Sequence, residues 1–254
     1  MTDEHWVATE PSPRRVRAVF AGTTIADSKR VLLLRERGHL GVYYFPMDDV
    51  RMDLLVPTDK QTHCPYKGDA SYWSIDVNGR RAENAVWAYE DPIADRVDIK
   101  GHVAFYWDKL DQWFEEDEEV FVHPRDPHHR VDACRSSRHV RVIVGGETVA
   151  ESDRPVLVFE TGLPVRYYLP KRDVRLELLT PTDTVTRCPY KGQARYWSVT
   201  ANGNTVEDAG WSYTYPLPAV SSIAAHICFF QERVDETWVD GERVEHPQTQ
   251  WSRR

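Results

Sequence analysis

Apolar and polar residues alternate in short runs along the whole chain, and turn residues separate these runs. Alternation with a period of two is typical of strands that bury one face. The dipeptide Asn78-Gly79 lies between two such runs, 71–77 and 81–89, and can supply the two positive-φ residues of a type I′ hairpin turn. Since no run keeps an apolar period of 3.6 residues beyond about two turns, the pattern predicts a mostly β fold.

The same pattern predicts further strands and places the irregular segments between them. The remaining strands are expected at 19–26 (a hairpin that turns near Gly22), 31–36, 42–45, 51–55 and 99–107. The segment 112–139 is acidic and then rich in proline and polar residues, which predicts a linker with a solvated acidic face. About the first dozen residues and the last few are expected to be loose.

The second half of the chain repeats the first at a constant offset of 124 residues. Residues 17–111 align with 141–235 without a gap, and roughly 40 of about 95 positions are identical, which indicates duplication. The most similar block, Cys-Pro-Tyr-Lys-Gly, occurs at 64–68 and again at 188–192. We therefore predict two domains of one kind, 14–125 and 138–248, each ending near a His-Pro dipeptide.

Composition and charge narrow the classes of function. A formal net charge of −8 disfavours a nucleic-acid binder, which needs a basic face to neutralise phosphates. The N-terminal residues have neither the basic nor the apolar region of a signal peptide, and the longest apolar run, 31–34, is too short to cross a membrane. The four cysteines form no Cys-x-x-Cys pair. We expect a cytoplasmic protein with reduced thiols, no bound metal, no cofactor and no membrane partner.

The repeated motifs resemble a known family. Each half contains Tyr-Tyr-x-Pro, then Cys-Pro-Tyr-Lys-Gly-x-Ala-x-Tyr-Trp, then Trp-x-Tyr and His-x-x-Phe. This combination resembles DUF427, a domain of unknown function, in both halves. The resemblance implies a compact all-β fold of the β-tent or Mss4-like kind, in which two sheets meet at an angle beside a ligand-sized cleft. It implies no established reaction.

Two properties associated with such domains do not carry over to this chain. The zinc of many β-tent relatives is held by Cys-x-x-Cys pairs, which this sequence lacks. The nucleotidyltransferase label sometimes given to the family requires metal-binding carboxylates, usually Asp-x-Asp, after a Gly-Ser turn. The chain contains neither pattern.

Residues retained in both copies are the candidates for a binding site. A lysine in a turn and a histidine in a strand are not explained by core packing, which would allow apolar exchanges such as Met52 for Leu176. We expect these side chains to converge on one concave pocket per domain, with the ammonium and the imidazole accessible to a ligand. The candidates are Cys64, Lys67, Tyr72, Trp87, Tyr89 and His102 in the first copy, and Cys188, Lys191, Tyr196, Trp211, Tyr213 and His226 in the second.

Several structural interpretations of these residues remain open. Trp87 and Tyr89, two apart on a strand, are expected to share a face, whereas Tyr72 and Trp73 are expected to point to opposite faces. Cys64 is either a small buried residue or a thiol that a nearby ammonium activates. Lys67 is either a ligand-binding group or an exposed turn residue whose replacement would leave stability almost unchanged.

Charged residues outside the motifs suggest structural roles. Glu36 and Glu160 each end an apolar strand and are expected to pair with the arginines at 51 and 175. The histidines at 123, 128 and 129 lie in the predicted linker, where they could bind metal only adventitiously.

Three functions fit this pattern. The first is a small-molecule binding module used in tandem, with one cleft per domain. The second is an enzyme that acts on a small organic substrate through Lys67 or Cys64, with His102 as acid–base partner. The third is a scaffold whose duplicated faces bind another protein. Because duplication builds an internal pseudo-dimer, we expect a monomer.

Overall fold

The computed structural model describes residues 5–93 and 97–252. The chain divides into two compact units, and the boundary between them along the sequence lies between Asp126 and Pro127. Strands account for 55% of the described residues and helical turns for 9%. The predicted mostly β fold is therefore confirmed.

The first unit contains a seven-stranded sheet and a four-stranded sheet. Its strands are β1 (Val7–Pro11), β2 (Val16–Phe20), β3 (Thr23–Ser28), β4 (Leu32–Glu36), β5 (Val42–Pro46), β6 (Leu55–Cys64), β7 (Gly68–Val77), β8 (Arg80–Tyr89), β9 (His102–Phe105), β10 (Gln112–Glu115) and β11 (Glu118–Glu119). Single 3₁₀ turns cover Met47–Asp49, Met52–Leu54 and Trp107–Lys109. The strand orders are β1-β4-β5-β9-β8-β7-β6 and β11-β10-β2-β3.

The second unit repeats this architecture. Its strands are β12 (Val131–Arg135), β13 (Val140–Val144), β14 (Glu147–Ser152), β15 (Val156–Glu160), β16 (Arg166–Pro170), β17 (Leu179–Cys188), β18 (Gly192–Ala201), β19 (Asn204–Tyr213), β20 (His226–Phe229), β21 (Glu236–Val239) and β22 (Glu242–Val244). The 3₁₀ segments are Lys171–Asp173, Leu176–Leu178 and Pro218–Ile223. The orders β12-β15-β16-β20-β19-β18-β17 and β14-β13-β21-β22 match those of the first unit strand for strand. The predicted repetition of one fold is confirmed.

In each unit the main core lies between the two sheets. The alternation of the strands produces it: in β2, the burial pattern places Val16, Ala18 and Phe20 inside and the intervening residues nearer solvent. The opposite face of the seven-stranded sheet carries a second, aromatic cluster. We call this second face the concave face.

The register of the seven-stranded sheet requires it to coil strongly. One row of paired residues crosses it from β4 to β7: Leu32, Tyr44, Ala104, Trp87 and Tyr72. Glu36 lies four residues beyond this row in one direction, and Lys67 lies five residues beyond it in the other. In a flat sheet these two residues would be more than about 30 Å apart. Because their side chains are in contact, the sheet curls until its opposite margins meet.

The segment predicted to be a linker is largely structured. Residues 112–115 form β10, which pairs with β2, and Trp113 is buried in the core between the sheets. Glu115, at the start of the acidic run, is buried and accepts hydrogen bonds from the Tyr43 hydroxyl (2.8 Å) and from Arg14. The acidic run is therefore not wholly a solvated face, because its first carboxylate satisfies buried donors.

Part of the N-terminal segment that was expected to be loose forms a strand, Val7–Pro11. Strand β1 pairs with β4 along its whole length, and β12 pairs with β15 in the same way. Each compact unit therefore includes a strand that precedes the domain start predicted from the repeat. Near the other end, Trp251 packs against Phe230, with 6.1 Å between the ring centroids.

Among the helical segments of the described residues, none is long and apolar enough to span a membrane.

Candidate functional site

A buried ion pair joins the two margins of the coiled sheet in the first copy. Lys67 follows β6 in the Cys-Pro-Tyr-Lys-Gly turn, and Glu36 ends β4. The ammonium Nζ donates to Glu36 Oε2 at 2.5 Å, and the two side chains are only 9% and 12% exposed. Lys67 is therefore not an exposed turn residue, and its ammonium is not freely accessible to a ligand. The sequence had suggested both possibilities.

A histidine and a tyrosine complete this cluster. His5 Nε2 lies 3.0 Å from Glu36 Oε1, so the carboxylate is engaged at both oxygens. The His5 imidazole also stacks on the Tyr66 ring, with 3.9 Å between centroids and 22° between planes. We call the group His5, Glu36, Tyr66 and Lys67 the closure cluster.

The second copy contains the same cluster at the same offset. Lys191 donates to Glu160 Oε2, and His129 Nε2 lies 3.1 Å from Glu160 Oε1. The His129 ring stacks on Tyr190, with 4.3 Å between centroids. His129 is therefore part of a repeated structural cluster and not of a linker.

The expected partners of the two glutamates were wrong. Arg51 pairs with Asp53 at 2.6 Å, and Arg175 pairs with Glu177 and Glu147. Acids two residues away on the same exposed turn satisfy these guanidinium groups locally, whereas the coil of the sheet brings the lysines to the glutamates.

The electrostatics of the closure cluster predict that the stability of the first copy depends on pH. Burial acts to raise the pKa of Glu36, but the hydrogen bond and charge of Lys67, with the hydrogen bond of His5, outweigh it and hold this pKa below its ordinary value of 4.5. The stability that Glu36 contributes is therefore full above pH 4.5 and is lost as the pH falls through the lower, folded-state pKa. Urea unfolding at pH 6 and below pH 4 should show that Glu36→Gln loses less free energy of unfolding on acidification than the wild type does. An equal loss in both proteins would contradict this assignment.

The aromatic candidates lie together on the concave face. Tyr72, Trp87 and Tyr89 belong to one cluster there, and Cys64 packs against it. Trp73 packs instead against the core between the sheets, so the predicted opposition of Tyr72 and Trp73 is confirmed. Burial, then the neighbouring Cys64 and Tyr72, raise the pKa of Tyr89, which keeps its phenol neutral.

Trp87 and Tyr106 form the outer part of this aromatic cluster. Their ring centroids are 4.6 Å apart, and both residues are partly exposed. The Trp87 indole donates to the Tyr44 hydroxyl at 3.2 Å, which fixes the ring's orientation. Burial and a hydrogen bond with Tyr72 raise the pKa of Tyr106 to about 12. The Lys60 ammonium lies 4.2 Å from the centroid of the Tyr72 ring. We call Lys60, Tyr72, Trp87 and Tyr106 the aromatic face.

In the second copy the chain itself covers the corresponding surface. Trp211 and Phe230 are 4.3 Å apart and buried, in place of the partly exposed Trp87 and Tyr106. The Arg166 guanidinium lies 5.4 Å from the Trp251 ring centroid and about as far from the two other rings.

A buried ion pair holds that guanidinium in place. Arg166 donates to both carboxylate oxygens of Glu232, at 2.7 and 2.6 Å, and the Glu232 side chain is fully buried. Thr249 also donates to Glu232, at 2.6 Å. At the positions of Arg166 and Glu232, the first copy has Val42 and Asp108.

The candidate histidines contact main-chain carbonyl oxygens close to them in the sequence. His102 begins β9, and its Nδ1 is 2.9 Å from the carbonyl oxygen of Lys100. His226 makes the equivalent contact with Ala224, at 2.7 Å, and lines a cavity of about 670 Å³. Among the described residues, Lys191 does not line this cavity. The described structure thus joins lysine to glutamate, not to the strand histidine.

Sequence reasoning missed the outer members of the closure cluster. His5 and His129 lie outside the aligned segments 17–111 and 141–235, although the same offset of 124 relates them. Extending the comparison by the same offset towards the N-terminus would have found them. Glu36 and Tyr66 were visible as repeated residues, but their contacts depend on how far the sheet coils.

A family model described as a domain of unknown function (DUF427) matches the chain twice, at residues 8–116 and 132–240. Both matches begin close to the first strand of a unit, β1 or β12. No curated protein sequence matches the chain.

Proposed function

Because the chain belongs to the DUF427 family, in two tandem copies, we propose that it is a small-molecule binding module whose open site is the aromatic face of the first copy. The ligand is a planar organic molecule that stacks on Trp87 and Tyr106. We also propose that the two sheets of each unit form the β-tent arrangement that the family resemblance implies. The proposed compartment is the cytoplasm, where the four free cysteines would stay reduced.

The observation that carries this proposal is the difference between the copies. In the second copy, planar groups of the chain itself, the Arg166 guanidinium and the Trp251 indole, lie against the ring of Phe230. In the first copy, Val42 replaces the arginine, and the rings of Trp87 and Tyr106 remain partly exposed. The second copy thus covers this surface with its own side chains, whereas in the first copy the surface stays open to a ligand.

Charge at the rim favours a ligand that carries a negative group. Lys60 lies over the Tyr72 ring, and the Lys109 ammonium lies 5.5 Å from the Tyr106 centroid. Stacking on the rings supplies apolar contact and orientation, and an ammonium can bind a carboxylate beside them.

Indole-3-acetate, which is planar and anionic, is a suitable probe for this face. Calorimetric titration should give one equivalent bound to the wild type, because only the first copy presents the open surface. Tyr106→Ala should weaken binding at least tenfold, since it removes half of the ring pair, and Lys60→Ala should weaken it less.

Tyr215→Ala is the matched control, because this tyrosine is 89% exposed and lies in the second copy. It should leave the affinity within twofold of the wild type. The proposal fails if the probe does not bind, or if Tyr106→Ala binds as well as Tyr215→Ala does.

A further inference from the structure

The cavity of about 670 Å³ in the second copy has a strongly basic lining. Four basic side chains line it: Arg135, Arg154, Lys171 and Arg172. Among the described residues that line it there is no aspartate or glutamate. Such a concentration of positive charge stands out in a chain with a net charge of −8.

Two of these cations, Arg135 and Lys171, form no salt bridge within the described part of the chain, and the other two share one carboxylate, Asp173. Arg154 is engaged, since it binds Asp173 at 2.8 and 3.1 Å. The Asp173 carboxylate also accepts from Ser152, so its oxygens are satisfied away from the cavity. Arg172 reaches Asp173 only at 4.0 Å, and the Lys171 ammonium lies 5.3 Å from the Trp197 ring centroid.

Polar groups suited to an oxyanion accompany the cations. Ser136, Ser221 and Ser222 line the cavity, together with His226. Hydroxyl and guanidinium donors together are the usual partners of phosphate oxygens, and arginine can bind two of these oxygens at once. The volume exceeds that of a lone phosphate and falls in the range of small-molecule sites.

The first copy lacks three of these four cations although it shares the fold. The counterparts of Arg135, Lys171 and Arg172 are proline, methionine and aspartate, at 11, 47 and 48. His102 and Arg30 are retained at the positions of His226 and Arg154. The shared fold therefore does not require the three cations, and the second copy alone has them.

We propose that this cavity binds a small molecule carrying a phosphate or pyrophosphate group, with Arg135, Lys171 and Arg172 as its charged contacts. The site lies wholly within the second copy and is separate from the aromatic face of the first. Its test is therefore independent of the proposal above.

Calorimetric titration of the full chain with inorganic pyrophosphate at low ionic strength tests this site. The wild type should bind one equivalent, and the affinity should fall on adding salt. Lys171→Met with Arg172→Asp, which installs the residues of the first copy, should weaken binding at least tenfold. The melting temperature without ligand should change little, because Arg172 is exposed and Lys171 is partly exposed.

Arg195→Gln is the control for general charge attraction, because Arg195 is exposed on β18 and does not line the cavity. The Arg195→Gln variant should bind pyrophosphate with an affinity within twofold of the wild type. Arg135→Ser is a second test of the cavity, and it should weaken binding even if the double variant proves unstable. Absence of pyrophosphate binding by the wild type, or equal weakening by Arg195→Gln, would overturn the proposal. Binding of a single-stranded oligonucleotide without any binding of pyrophosphate would also overturn it.

Discussion

Replacing Lys67 with methionine is expected to destabilise the first copy by about 3–5 kcal/mol, the range for removing one partner of a buried ion pair. The methionine fills the space of the lysine stem but leaves the Glu36 carboxylate 12% exposed and without its ammonium. The loss should also loosen the margins of the coiled sheet, because this contact joins β4 to the β6–β7 turn. Urea unfolding of the full chain, with amide hydrogen exchange followed separately in each copy, measures the effect.

Two variants show whether the ion pair causes that loss. Lys67→Met combined with Glu36→Gln should recover much of the stability, because no uncompensated charge remains buried. Arg51→Met removes an exposed pair, with Asp53 at 2.6 Å, and should cost less than about 1 kcal/mol. If Lys67→Met costs no more than Arg51→Met, the closure cluster does not hold the sheet margins together.

Replacing Arg166 with methionine should destabilise the second copy by a similar amount, about 3–5 kcal/mol. Glu232 would keep its hydrogen bond from Thr249, but its fully buried carboxylate would lose both contacts with the guanidinium. The rings of Trp211, Phe230 and Trp251 would also lose the cation that lies between them. Hydrogen exchange should quicken in the second copy and stay unchanged in the first.

The double variant Arg166→Met with Glu232→Gln separates charge from packing. A buried ion pair can be replaced by neutral groups of similar size at little cost, so this variant should be more stable than Arg166→Met alone. Arg130→Met, which removes an exposed pair with Asp132, is the control and should change stability by less than about 1 kcal/mol. Equal stability of the single and double variants would mean that lost packing, not the unpaired carboxylate, dominates.

Local signals along the chain were sufficient to predict the strands and the repeat. The Asn78-Gly79 turn has both residues at positive φ, 51° and 78°, as a type I′ turn between β7 and β8 needs. Strand alternation also placed Trp87 and Tyr89 on one face, because it depends only on neighbouring residues. The linker prediction failed because Glu115 is acidic in sequence yet buried beside Tyr43 and Arg14, residues far away in the chain.

The duplication and the mostly β fold can be predicted from the sequence, because turn residues and period-two alternation are local signals and a constant offset is visible when the chain is compared with itself. Which of the repeated residues contact each other depends on the tertiary fold. Lys67 contacts Glu36 and not His102 because the coil of a seven-stranded sheet brings opposite margins together, and no spacing in the sequence encodes that curvature. The difference between the copies was likewise hidden: Arg166, Glu232 and Trp251 are distant in sequence, and folding gathers them into one covered aromatic cluster.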